Sequence, residues 1–168
     1  MFPLLLAILV VVSDQIAKEC VRAAFRLHEI LPVVPGVFNL TYVRNTGAAW
    51  GMFSGQNLVL SLLAATMLAV LAVFRNRILP PGKMRAWVLG LLAGGIAGNL
   101  IDRVRLDYVV DFLDFHAGTS HFPAFNIADS AICCGVGLYL LATWMQARRE
   151  RRAEKDAPAA DPVAKDAP

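Results

Sequence analysis

Histidine, cysteine and charge are all scarce in this chain, and each shortage removes a class of chemistry. Of its 168 residues, three are histidine, three are cysteine and 17% are charged. His28, His116 and His121 are scattered through segments that read as loops, and none belongs to an H-E-x-x-H arrangement. Metal catalysis is poorly supported, and no metal ligand or cofactor is assigned. Cys133 and Cys134 are neighbours in one apolar run and Cys20 stands alone, so no disulfide framework is implied. All three cysteines read as small residues packed in helices. There is no G-x-S-x-G and no glycine-rich phosphate loop, and Ser130 reads as a helix-packing hydroxyl. Basic residues flank apolar runs instead of alternating with aromatics on a polar face, so no nucleic-acid partner is expected.

What the chain has is apolar length. At 57% hydrophobic it is one domain at most, and too apolar for an ordinary soluble protein. Four spans are predicted, at about 2–19, 58–74, 86–102 and 124–145. Phe2–Val12 resembles a signal-peptide core, but no basic residue precedes it and no small-x-small cleavage site follows. In the third span Gly90, Gly94 and Gly98 lie at i, i+4 and i+8, a face that lets membrane helices approach closely. Between the spans lie outer loops 20–57 and 103–123. Val37–Val43 suits a strand, and the Asn and Gly of Asn45–Gly51 suit a turn, with a site-lining role left open. After Gln146 charge, alanine and proline replace periodicity, so 147–168 is expected to be a disordered cytoplasmic tail. The expected fold is an all-α membrane protein of four transmembrane helices over residues 1–146, with a small β-structured subregion at its outer face.

Basic residues set the orientation. Arg75, Arg77, Lys83 and Arg85 crowd one short loop, and Arg148–Lys155 crowd the tail, which places both loop and termini in the cytoplasm. The strand segment, Asn99, Asp102, Arg103, Asp111, Asn126 and Asp129 then gather at the outer side. An ionisable group at the start of a span, such as Asp129, is by default a functional-site hypothesis. Its nearest partner is Asp111, and two close carboxylates share a proton, as in an aspartic hydrolase. Asp14 and Lys18, acid first and four apart, read as an interfacial ion pair. Asp107 and Asp114 read as solvated loop charges. A small transporter or proton-conducting protein is the alternative, but it would spread carboxylates through the membrane depth, whereas these cluster at one end.

Five motifs in order carry a resemblance: Asp14-Gln15-x-x-Lys18, Asn45-Thr46-Gly47-Ala48-Ala49, Gly98-Asn99-x-x-Asp102-Arg103, Val109-Val110-Asp111-Phe112 and Phe125-Asn126-x-Ala128-Asp129. Together they resemble the lipoprotein signal peptidase (signal peptidase II) family, over everything but the tail. The resemblance implies a bacterial inner-membrane aspartyl endopeptidase. It would remove signal peptides from diacylglyceryl-modified prolipoproteins, cut before the lipidated cysteine, and be inhibited by the cyclic peptide globomycin. It implies Asp111 and Asp129 as the catalytic dyad. Asn45, Gly47, Asn99, Arg103 and Asn126 would line the site, with Asp14, Lys18 and Asp102 supporting it. The expected partners are the lipidated precursor and membrane lipids, and the chain is expected to be a monomer.

Overall fold

The computed structural model describes residues 1–47, 52–79, 82–118 and 120–156. Its elements run α1 (Phe2–Ala24), β1 (Ile30–Val34), β2 (Phe38–Asn45), α2 (Asn57–Ile78), α3 (Lys83–Leu106), β3 (Val109–Ala117), β4 (Ser120–His121) and α4 (Ile127–Asp156). Three helices, α2, α3 and α4, are long and apolar enough to cross a bilayer. The remaining helix, α1, has the length but carries Asp14, Lys18 and Glu19 within it. It resolves that conflict by direction. Leu5, Leu9, Val12 and Ile16 face outward while Asp14 and Lys18 are fully buried. Apolar outside and charged inside is the reverse of a helix in water, and it suits lipid.

The scaffold is centred on α3, which packs against α1, α4 and α2. Its glycines are the reason the helices can meet. A Cβ at Gly90 would sit 2.8 Å from Leu6, and one at Gly94 would sit 2.8 Å from Val10. One at Gly98 would lie 2.8 Å from an Asp14 carboxylate oxygen. Gly95, a step round the helix, faces α4 instead, and a Cβ there would run into the Ala128 carbonyl. The small-residue face expected from the sequence is therefore the α1 contact, and it seats the polar middle of α1 against α3.

The expected β-structured subregion is a four-stranded antiparallel sheet in the order β1-β2-β3-β4, built from the segments between α1 and α2 and between α3 and α4. Its second strand is legible as Val37–Val43, and the third, β3, as the strand-like run from Tyr108 that leads to Asp111. What the sequence does not give is the length of β3, whose residues Val109, Val110, Asp111 and Phe112 are all buried. Val110 and Phe112 pack with Val21 of α1 and Tyr42 of β2. Side chains alternate along a strand, so Val109 and Asp111 point to the opposite side. The β2–β3 register slips by one residue between Leu40 and Val43. That bulge lets Thr41 and Tyr42 both be buried and turns the end of β2 toward the helices.

Other boundaries shift for local reasons. Helix α4 starts at Ile127, not 124, because Pro123 and a bridge from Phe125 to Leu113 keep the preceding residues extended. It continues to Asp156, so residues 147–156 of the expected disordered tail are helical, in a stretch rich in Ala, Arg and Glu. Residues 157–168 lie outside the described residues, as do 48–51 of the predicted turn. His116 and His121 sit in strands β3 and β4, not in loops. All three cysteines are exposed, not packed inside.

Two glycines test this packing in opposite directions. Gly95→Ala must displace the α4 backbone or Ile132, and should lower stability by about 1–3 kcal/mol. Gly137→Ala meets nothing within 4 Å, and should stabilise α4 by up to about 1 kcal/mol through helix propensity. Thermal unfolding in detergent should show the Tm falling for the first variant and holding or rising for the second.

Candidate active site

The site is built on the start of α4. Asn126 and Asp129 stand three apart and cap each other. The Asp129 N–H donates to Asn126 Oδ1 at 2.9 Å, and the Asn126 N–H donates to Asp129 Oδ2 at 3.2 Å. This is a capping box, in which two otherwise unpaired backbone donors are satisfied reciprocally. A third, the Ala128 N–H, donates to Asp14 Oδ1 of α1 at 2.9 Å. The carboxylate of Asp129 is thereby fixed by the helix it begins.

Asn126 also reaches β3. Its Nδ2 donates to Asp111 Oδ1 at 2.7 Å, and it is completely buried. One residue therefore touches both acids, through its side-chain amide to Asp111 and its backbone N–H to Asp129. Asn99 of α3 adds the second donor to Asp129, with Nδ2 at 2.7 Å from Oδ1. Asn45 adds the second donor to Asp111, with Nδ2 at 2.9 Å from Oδ2. The Asn45 Oδ1 accepts the Gly47 N–H at 2.9 Å, closing a tight Asx turn. Gly47 thus serves both the turn and the site, since its carbonyl accepts from Arg103 Nη2 at 3.3 Å. Each of the three amides has its oxygen and nitrogen ends assigned by its partners.

Asp14 and Lys18 are not an interfacial pair. They are 0% and 1% exposed. The Lys18 ammonium lies 2.7 Å from Asp14 Oδ2 and 3.0 Å from Asp102 Oδ2, and donates to Asn99 Oδ1 at 3.0 Å. Burying such charges is costly unless they are paired and fully hydrogen-bonded. Here each carboxylate spends its remaining capacity on a backbone N–H: Asp14 on Ala128, and Asp102 on Val110 at 3.0 Å. Ala128 immediately precedes Asp129, and Val110 immediately precedes Asp111. Gln15 completes the set, donating to Asp102 Oδ1 at 2.8 Å and to the Gly98 carbonyl at 3.2 Å. Gln15 stands in one of the recognised motifs but was given no site role. Its neighbours Asp14 and Lys18 are the signal that could have found it.

Asp111, Asp129, Asn45, Gly47, Asn99 and Arg103 all face one cavity of ≈ 910 Å³. Phe122, Phe125 and Ile132 supply apolar wall, and Arg44 lies at the same cavity with its guanidinium 4.9 Å from the Tyr108 ring. These four were not assigned from sequence. Adjacency of Arg44 to Asn45 is the signal for the first, Phe125 stands in one of the five motifs without a site role, and Phe122 reads as a loop residue. Burial, and then the negative charge of Asp129, push the Asp111 carboxyl up to about 7, although the Asn45 and Asn126 donors and the Lys18 charge oppose this. Two carboxyls held by one residue, one of them pushed up to about 7, can activate water with one and donate a proton with the other.

Neither remaining loop acid joins them. Asp107 ends α3 in the left-handed conformation, φ 64°, and accepts from Asn57 Nδ2 at 3.1 Å. Asp114 is not solvated as expected. It is buried, yet donors from Asn39 at 2.8 Å and His121 at 2.9 Å outweigh that burial and hold its carboxyl below the ordinary value.

A family model described as Signal peptidase (SPase) II matches residues 6–145. The chain belongs to the signal peptidase II family. It is 48% identical over 151 residues to the lipoprotein signal peptidase of Syntrophotalea carbinolica, covering 88% of this chain and 94% of that one. It is 42% identical over 155 residues to that of Syntrophus aciditrophicus, covering 88% and 94%. A solved bacterial membrane enzyme, determined by the in meso method at 2.3 Å, superposes with a TM-score of 0.75 at 31% identity. That match covers 95% of this chain and 93% of the other. The chain is a multi-pass bacterial membrane enzyme and an aspartic peptidase by family. The matched span contains every residue of the network above.

The buried cation can be tested directly. Lys18→Met leaves Asp14 and Asp102 facing each other unpaired, and should destabilise by about 3–5 kcal/mol. Gln15→Ala removes a neutral side chain that donates to Asp102 and Gly98 and accepts from the exposed Arg105, and should cost about 1 kcal/mol. Unfolding in detergent should rank them in that order.

Proposed function

We propose that the protein is a membrane aspartyl endopeptidase that removes signal peptides from diacylglyceryl-modified bacterial prolipoproteins, cutting before the lipidated cysteine. Asp111 and Asp129 form its dyad. The observation that carries this reading is Asn126 in contact with both acids at the wall of one cavity. The relatives' shared description as lipoprotein signal peptidases supports the substrate class.

In the resting site the dyad holds one proton, and Asp111 is the member that keeps it near neutrality. Asp129 takes a proton from water, and the oxygen attacks the scissile carbonyl carbon. Asp111 hydrogen-bonds the carbonyl oxygen as it gains charge. The tetrahedral intermediate collapses, and the leaving amine departs with a proton from the dyad. Arg103 and Asn45 present donors to the substrate backbone and to developing negative charge. Asn99 and Asn126 hold the acids at fixed distance, while Asp14, Lys18 and Asp102 hold the backbone beneath them.

The precursor is an apolar segment with a lipid chain, so it enters from the bilayer. The enzyme lies in the bacterial inner membrane with both termini cytoplasmic, following the basic loop around Arg75–Arg85 and the basic tail. The dyad then sits near the outer face. The protein works as a monomer among lipids.

Asp111→Asn and Asp129→Asn should each lower single-turnover cleavage of a lipidated precursor by about a thousandfold or more, and the double variant should be little worse than either. Asp107→Asn should lose about tenfold at most. Near-normal turnover by either dyad variant in folded protein would remove the assignment.

The pH profile gives a separate check. Cleavage needs a proton on Asp111, so the rate should fall as pH rises through about 7. Asn45→Ala removes a donor that favours the ionised form, so the alkaline limb should move to higher pH.

A further inference from the structure

The β3–β4 hairpin carries a pair of imidazoles that the dyad does not use. His116 and His121 are direct cross-strand partners, with ring centroids 4.8 Å apart and planes 16° from parallel. Each Nδ1 faces an oxygen that can only accept. The Gly118 carbonyl is 3.2 Å from His116 Nδ1, and Asp114 Oδ1 is 2.9 Å from His121 Nδ1. Both neutral rings must therefore carry their proton on Nδ1, which leaves both Nε2 lone pairs free. His116 Nε2 is buried without a hydrogen-bond partner, a costly state for a polar atom. Asp114 is itself buried and held by Asn39 Nδ2 at 2.8 Å. A carboxylate on the far nitrogen is how proteins orient imidazoles toward metal ions.

We propose that His116 and His121 form a binding site for a divalent late transition-metal ion, coordinated through the two Nε2 atoms. Stacked in near-parallel planes the rings do not share an ion as they lie. Directly opposed side chains in an antiparallel pair have Cβ atoms about 4.5–5.5 Å apart, however, so rotation of His121 brings both Nε2 atoms onto one ion. Among the described residues no group of three or more His, Cys, Asp or Glu could hold a metal, so water completes the coordination. Imidazole donors select Ni²⁺, Cu²⁺ or Zn²⁺ over Mg²⁺ and Ca²⁺. His121 is 49% exposed, so the ion meets it first, and the ring tilts off the stack to open His116 Nε2. The ion clasps the hairpin just before Phe122, whose N–H is bonded to the Phe115 carbonyl at 2.8 Å and whose side chain faces the cavity. Metal occupancy thus rigidifies one wall of the site without entering it.

The test uses tag-free, chelator-treated full-length protein in detergent, titrated with NiCl₂ by calorimetry and by thermal unfolding. Wild type should show one saturable site and a Tm that rises with Ni²⁺. His116→Gln and His121→Gln should each weaken binding at least tenfold and abolish the Tm response, while His28→Gln should keep both and MgCl₂ should bind to none. If His116→Gln fails to accumulate, the half-exposed His121 position decides alone. Binding that survives His121→Gln, or no saturable site below millimolar Ni²⁺, overturns the proposal.

Discussion

One ammonium group holds the sheet and one end of the helices in register. Lys18 cannot leave its pocket without exposing two buried carboxylates, and those carboxylates cannot shift without releasing the backbone of β3 and of α4. Three helices and a strand therefore meet at a single charge. The arrangement is symmetrical in effect: each acid of the ion cluster grips the residue just before one acid of the proposed dyad. A buried ion pair contributes little net stability by itself. Its value here is positional, because two peptide groups from distant parts of the chain are tied to one point.

That constraint explains how much could be read in advance. Asp14, Lys18, Asn99, Asp102, Asn126 and Asp129 stand out because lipid-facing helices tolerate polar residues only where they are paired. Their mere presence in apolar runs marks the interior. The glycines of α3 are legible for the same reason, since small residues at helical spacing have few uses other than close approach. Charge flanking the spans gave an orientation that put every odd polar residue at one end.

The unread part has a physical cause as well. A strand buried on both faces loses the alternation that would mark its bounds, so the run from Tyr108 reads as strand-like only as far as Asp111, while β3 continues to Ala117. The interfacial pair Asp14–Lys18 was misjudged because an i, i+4 pair has the same spacing whether it faces water or a neighbouring helix. Only Asp102, across the gap, makes the difference. Asp114 was misjudged because its partner Asn39 is 75 residues away in sequence. Pairings between distant segments leave no local trace.

The polar wall of the cavity is made of residues with two jobs. Asn45 closes a turn while holding Asp111, and Asn99 holds Lys18 while holding Asp129; behind this wall the buried Asn126 starts α4 while holding both acids. An inhibitor that rests on those amides touches groups the chain cannot exchange without dismantling its own scaffold. Resistance is then confined to the apolar side, at Phe122, Phe125 and Ile132, where shape can change without breaking a side-chain hydrogen bond. Compounds that draw their affinity from the amides and little from the phenylalanines would leave such a protein the fewest ways to escape.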